Sequence, residues 1–226
     1  MKALALFGST ARYEREIDSD IDLLGVYDKA TIHCSSESIV NLYLYPEEII
    51  IKKMVSGDLF ALHLVKEAIP IYGAEYFKEI FSNFRYKKDY SYEIGTALFI
   101  GNILIKNYAS IINKAIVNKK LAWCLRTVVI AISAEEKKPV FSKKYISEYL
   151  KLKNLNANEV LYLINTKRIK YALQKESLEK YYFFFDEISR RYHVNGNYYS
   201  DPLVLDILSK VGLISPISKG QSEAYS

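Results

Sequence analysis

The chain has 226 residues, half of them hydrophobic and a quarter charged, the profile of a folded soluble protein of one large domain or two small ones. A net charge of +5 is too mild to argue for a nucleic-acid binder on charge alone. No run of about 18 apolar residues occurs, so no membrane span is expected. Cys34 and Cys124 lie far apart, which argues against a disulfide framework or a zinc site and for a reducing cytoplasm. The 20 tyrosines, alongside many Lys, Asn and Ile, read as the product of an AT-rich genome rather than as base-stacking stripes.

Residues 3–7 form a short apolar run stopped by Gly8, which reads as a buried strand rather than a signal peptide. Residues 9–15 are expected to form one short helix and 21–27 a second strand. A third strand is expected over 38–45, with Val40, Leu42 and Leu44 on one face and Asn41, Tyr43 and Tyr45 on the other. Pro46-Glu47-Glu48 opens a helix that stops near Gly57, with proline early and acids in the first turn. Another helix is expected over 59–67, then a closing strand at 69–73. Beyond Gly73 the apolar spacing is helical, over 74–83, 91–117, 121–135, 143–151, 158–163 and 177–192, with a turn at 194–197 and a last helix over 202–213. The expected fold class is therefore α+β: a small mixed sheet with helices over 1–88, an all-helical bundle over 89–215, and a disordered tail over 216–226. No internal repeat is visible.

The chemistry concentrates near the start. Gly8-Ser9 follows the first strand, and ten residues later Asp20-Ile21-Asp22 leads into the second. Glycine lets the backbone approach a phosphate closely. The Ser9 hydroxyl and the amides after it, at a helix start, favour anions. Strand period two puts Asp20 and Asp22 on one side. Two neighbouring carboxylates repel unless a cation lies between them, and magnesium prefers such oxygen ligands together with substrate phosphates. Two such ions can clamp the attacking and leaving oxygens of an in-line phosphoryl displacement.

These residues, with Gly8-Ser9-Thr10-Ala11-Arg12 and Asp18-Ser19-Asp20-Ile21-Asp22-Leu23-Leu24, resemble the signature of the DNA polymerase β-type nucleotidyltransferase superfamily. The wording is close to that of its small bacterial members, the minimal and aminoglycoside-type nucleotidyltransferases. The resemblance is specific over about residues 4–28 and weaker to Gly73. It implies transfer of a nucleoside monophosphate from a nucleoside triphosphate, ATP being the expected one, with release of pyrophosphate. Gly8 and Ser9 match the phosphate-binding turn, and Asp20 and Asp22 the metal ligands. Arg12 matches a basic position that meets the triphosphate or pairs with Asp18. Tyr13 stands where the family often has glycine. Residues 121–142, LAWCLRTVVIAISAEEKKPVFS, are loosely similar to a helix of the aminoglycoside-type enzymes, at whose start Lys120 and Arg126 are expected to face the triphosphate. The implied acceptor is a hydroxyl on a small molecule, on a protein (as in adenylylating antitoxins and defence proteins) or on an RNA 3′ end. A homodimer is compatible with these expectations, and no membrane partner is implied.

One residue departs from the pattern. The family's third carboxylate lies on the third strand, and the matching segment here, Ile39-Val40-Asn41-Leu42, carries Asn41. An amide oxygen can bind magnesium but cannot act as a general base. Glu67, Glu93, Glu135 or Glu136 is an alternative base, Glu37 is another if the register differs, and a slow or inactive enzyme is a third possibility. The rival function is a non-catalytic nucleotide- or partner-binding protein of the same fold. His33, His63 and His193 have no ligand spacing and read as structural or surface residues. Trp123 and Cys124 read as core, and residues 181–185 as a packing face. Arg190-Arg191-Tyr192-His193 is too tight for the arginine–histidine spacing of helical ribonuclease toxins, so no nuclease is assigned.

Overall fold

The computed structural model describes residues 1–16, 19–192 and 198–215. The expected turn at 194–197, the tail at 216–226, Asp18 and His193 lie outside them. The chain divides into two compact units, Met1–Lys88 and Asp89–Ser226.

The first unit is a five-stranded mixed sheet with helices. Strand β1 (Ala3–Phe7) leads into a single helical turn, α1 (Gly8–Ala11), and β2 is Ile21–Tyr27. Strands β3 (His33–Glu37) and β4 (Val40–Pro46) form a hairpin, followed by α2 (Glu47–Val55), α3 (Leu59–Glu67), β5 (Ile69–Tyr72) and α4 (Ala74–Ser82). The sheet order is β3-β4-β2-β1-β5, with β2 and β4 parallel and the other neighbours antiparallel.

Two expectations over this region need correction. The helix over 9–15 stops after Ala11, because Arg12 leaves helical geometry and Tyr13 takes a left-handed backbone, φ 58°. The strand over 38–45 begins at Val40. Ser38 and Ile39 form the hairpin turn, Ser38 at φ 54°, and β3 precedes it.

Register sets the faces of the sheet. Ala3 pairs with Val26, Ala5 with Leu24 and Phe7 with Asp22, while Asp22, Leu24 and Val26 pair with Asn41, Tyr43 and Tyr45. Ala3, Ala5, Phe7, Leu24, Val26 and Tyr45 pack on Ile50 and Met54 of α2, Phe60, Ala61 and Leu64 of α3, and Phe77 and Ile80 of α4. The tyrosine face of β4 is thus the one that meets the core. Asp58 caps α3 by accepting from the amides of Phe60 and Ala61 at 2.9 and 3.2 Å.

The second unit is helical throughout its described residues: α5 (Ser91–Lys106), α6 (Lys114–Glu135), α7 (Lys143–Tyr149), α8 (Ala157–Asn165), a 3₁₀ turn (Thr166–Arg168), α9 (Lys175–Tyr192) and α10 (Pro202–Lys210). The single helix expected over 91–117 is broken. Asn113 caps a new helix by accepting from Ile116 N, and the Lys114 ammonium donates to the carbonyls of Tyr108 and Ile111, both at 2.6 Å. Phe184, Phe185 and Ile188 of α9 are fully buried, as is Cys124, whereas Tyr182 and Phe183 are exposed and Trp123 is half-buried. Asn118, also fully buried, accepts from Tyr108 Oη and donates to the carbonyls of Ile169 and Tyr171, so its amide is satisfied. No helix among the described residues is long and apolar enough to cross a membrane.

Candidate functional site

The candidate site lies at one end of the core face of the sheet, where β1 runs into α1. Gly8 sits at φ +77°, and a Cβ added there would stand 2.8 Å from Asp22 Oδ2. Only glycine combines this backbone with this approach. The Gly8 turn therefore sits directly against the Asp22 carboxylate. Arg12 N donates to the Gly8 carbonyl at 3.3 Å, and Glu14 N to the Ser9 carbonyl at 2.9 Å. The Thr10 hydroxyl donates to the backbone carbonyl of Asp20 at 3.4 Å.

Asp20 is exposed and immediately precedes β2, whereas Asp22 is half-buried on it. Both carboxylates act on one phenol. The Tyr43 pKa is pushed up to about 12, first by burial and then by the negative charges of Asp22, Cys34 and Asp20. Tyr43 follows Asn41 by one period on β4 and packs on Phe7, ring centroids 5.7 Å apart.

Asn41, the departure from the carboxylate pattern, is the register partner of Asp22. Its amide nitrogen donates to Asp22 Oδ1 at 3.1 Å, and its oxygen accepts from Ser36 Oγ at 2.7 Å. Gly8, Asp22, Asn41 and Ser36 thus form a row across three strands and the turn. Glu37, one residue from Ser36 on β3, falls on the opposite face of the sheet, so it is not the missing acid of this row.

A second group brackets the turn. Arg12 pairs with Glu14 at 2.8 Å and with Glu67 of α3; His63 Nε2 lies 2.6 Å from the same Glu67 oxygen and 3.5 Å from Arg12 Nη1. His63 also meets Phe7 edge-on. The Arg12 side chain thereby ties the turn to α3. The i,i+4 spacing of His63 and Glu67 was the available signal for this pair; Ser36 had none. Glu67 belongs to the first unit, not to the helical one from which a base was expected.

The remaining expected residues belong to the helical unit. Lys120 lies inside α6 rather than at a helix start, and is 8% exposed. Its ammonium stands 6.0 Å from the Trp123 ring centroid, and its pKa is lowered by burial and then by Lys210 and Lys119. Arg126 Nη2 donates to the Phe141 carbonyl at 3.5 Å. Glu135 accepts from Tyr90 N, and Glu136 from Tyr149 Oη.

Among the described residues, no group of three or more His, Cys, Asp or Glu side chains is arranged to hold a metal ion. The row offers one carboxylate, Asp22, and one amide, and the exposed Asp20 carboxylate lies outside it, just before β2. No protein-family model matches the chain, and no curated protein matches it.

Proposed function

We propose that the chain is a magnesium-dependent nucleotidyltransferase whose triphosphate site is built on Gly8, Ser9, Asp20 and Asp22. The reaction moves a nucleoside monophosphate from a nucleoside triphosphate, ATP in the first instance, to a hydroxyl acceptor. The acceptor hydroxyl loses its proton to solvent water, its oxygen bonds to the α-phosphorus, the bond from that phosphorus to the bridging oxygen breaks, and pyrophosphate leaves.

The observation that carries this reading is the approach of the Asp22 carboxylate to a left-handed glycine in a turn that also bonds the Asp20 backbone. A turn without a side chain at its closest point admits a phosphate beside a carboxylate only when a cation offsets their charges. The donor set fits magnesium through the carboxylates of Asp20 and Asp22, both hard oxygen ligands, while the Asn41 amide oxygen accepts from Ser36 Oγ and would join them only if the amide turned about. When bound, the ion supplies charge neutralisation on the phosphates and activation of the acceptor hydroxyl. Gly8 and Ser9 position the phosphates, and Arg12 braces their turn through Glu67. Asn41 accepts no proton in this scheme.

The test uses labelled ATP, CTP, GTP and UTP, with label followed into protein, RNA and small molecules. Asp20→Ala with Asp22→Ala abolishes transfer while the circular dichroism spectrum is retained, because both side chains lie outside the packed core. Equal turnover by the double variant and the wild type would reject the proposal.

One observation favours a second reading, binding without transfer. The amide nitrogen of Asn41, rather than its oxygen, meets Asp22. An amide turned about would bring two oxygens together, which is favourable only with a cation between them. Calorimetry that finds ATP binding with magnesium but no release of pyrophosphate supports this reading, and activity gained by Asn41→Asp identifies a degenerate site.

A further inference from the structure

The turn that carries the candidate site ends in a residue for which the fold gives no reason. Tyr13 has a left-handed backbone, φ 58°. A bulky side chain there costs on the order of 1 kcal/mol relative to glycine. Two other non-glycine residues share that backbone region among the described residues, Ser38 in the hairpin turn and Lys137 just past α6, and neither is aromatic. Tyr13 is also 92% exposed, the most exposed tyrosine among the described residues. Its backbone nitrogen donates to the Thr10 carbonyl, but its ring and hydroxyl have no partner among the described residues. The side chain therefore adds nothing to packing, while the backbone beneath it is strained.

Its location gives the ring a use. Tyr13 N bonds Thr10, Thr10 bonds Asp20, and Gly8 in the same turn abuts Asp22. A nucleoside triphosphate seated by its phosphates on this turn can carry its base to the turn's end, where Tyr13 stands. An exposed aromatic face there meets a flat, apolar base surface without selecting a hydrogen-bond pattern.

We propose that Tyr13 is a stacking platform for the base of the nucleoside triphosphate, a role that rests on the nucleotidyltransferase reading of the same turn. Stacking of a base on an aromatic ring corresponds to roughly 5- to 150-fold in affinity. The contact serves every base and favours the larger purines.

Calorimetry on the full chain with magnesium separates the contributions, using ATP and inorganic tripolyphosphate as probes. Tyr13→Ala weakens ATP binding at least about fivefold and leaves tripolyphosphate binding unchanged, while Tyr13→Phe keeps wild-type affinity for both. Tyr13→Gly weakens ATP in the same way and raises the melting temperature, which excludes misfolding as the cause. Unchanged ATP affinity in Tyr13→Ala overturns the platform, and so does an equal loss of tripolyphosphate. Equal losses in the Phe and Ala variants, or label recovered on Tyr13, replace the platform with a role for the hydroxyl. A wild-type chain that binds neither probe removes the nucleotide reading and the platform together. One that binds tripolyphosphate but not ATP removes the platform and ATP as the donor, and leaves only a phosphate site on the turn.

Discussion

Replacing Gly8 by alanine tests the closest approach in the candidate site. Two costs arise. The backbone at φ +77° becomes strained, at about 1 kcal/mol. The new Cβ would also stand 2.8 Å from Asp22 Oδ2, a distance real Cβ atoms do not tolerate. The carboxylate must turn away, and its bond from Asn41 Nδ2 is weakened or lost. A hydrogen bond to a charged group contributes about 1.5–3 kcal/mol, less at a half-exposed site, so roughly 1–2 kcal/mol is a fair figure here. The total is about 2–3 kcal/mol. In an Asp22→Ala background the second cost disappears and only the backbone strain, about 1 kcal/mol, remains. The four proteins of this double-mutant cycle are compared by urea unfolding followed by circular dichroism, with slopes checked for constancy. A coupling energy of about 1–2 kcal/mol is expected. Coupling below about 0.5 kcal/mol, with Gly8→Ala costing the same in both backgrounds, refutes the packing of the Gly8 turn on Asp22.

Two further outcomes follow from the geometry. Tyr43 holds its proton up to about pH 12 in the folded chain, against an ordinary value near 10. Between those values the unfolded chain binds fewer protons than the folded one, so the stability from this group, full below pH 10, is lost as pH rises to about 12. Tyr43→Phe therefore shows a shallower decline in urea midpoint over that window than the wild type, and parallel declines reject the assignment. In the helical unit, a Cβ on Gly101 of α5 would lie 2.5 to 2.9 Å from ring carbons of the buried Phe185. Alanine gains about 1 kcal/mol of helix propensity, but overpacking costs about 1–3 kcal/mol, and the fully buried ring has no room to yield. Gly101→Ala is expected to be net destabilising by about 1 kcal/mol or more, read by fluorescence of Trp123, the single tryptophan and a residue of the same unit. A stabilised variant would show that the α5–α9 contact is looser than described.

The legible parts of the chain were those where local chemistry and pattern agree. Helix α2 begins where Pro46-Glu47-Glu48 places it, and α3 spans the apolar spacing over 59–67. The unread parts lacked a local signal. Strand β3, HCSSE, is exposed at every position and has no apolar alternation, and its hairpin turn uses Ser38-Ile39 rather than the Asn-Gly type. The break between α5 and α6 interrupts a run whose apolar spacing continues through Ile111 and Ile112, and it is held by Lys114 and Asn113, whose roles depend on the fold. At the candidate site, Gly8, Asp20 and Asp22 stand out by spacing alone. The contact between Asn41 and Asp22 needed the parallel pairing of β2 and β4, a register that no single segment encodes. Helix α6 starts two turns earlier than its apolar run suggests, so Lys120 is a buried interior position rather than the helix start.

The outermost strands of the open sheet bear on how the protein behaves when concentrated. Each leaves one flank of backbone donors and acceptors to which a stray chain can zip. The His33–Glu37 margin is polar along its whole length and invites little apolar stacking. The Ile69–Tyr72 margin is greasier, with Ile71 and Tyr72 well exposed, but Pro70 deletes a donor and the pairing with the neighbouring strand shifts register beside it. Proline at that point acts as a guard against filament growth from that flank, and Pro70→Val would leave a continuous sticky ribbon, Ile-Val-Ile-Tyr, open to a second molecule.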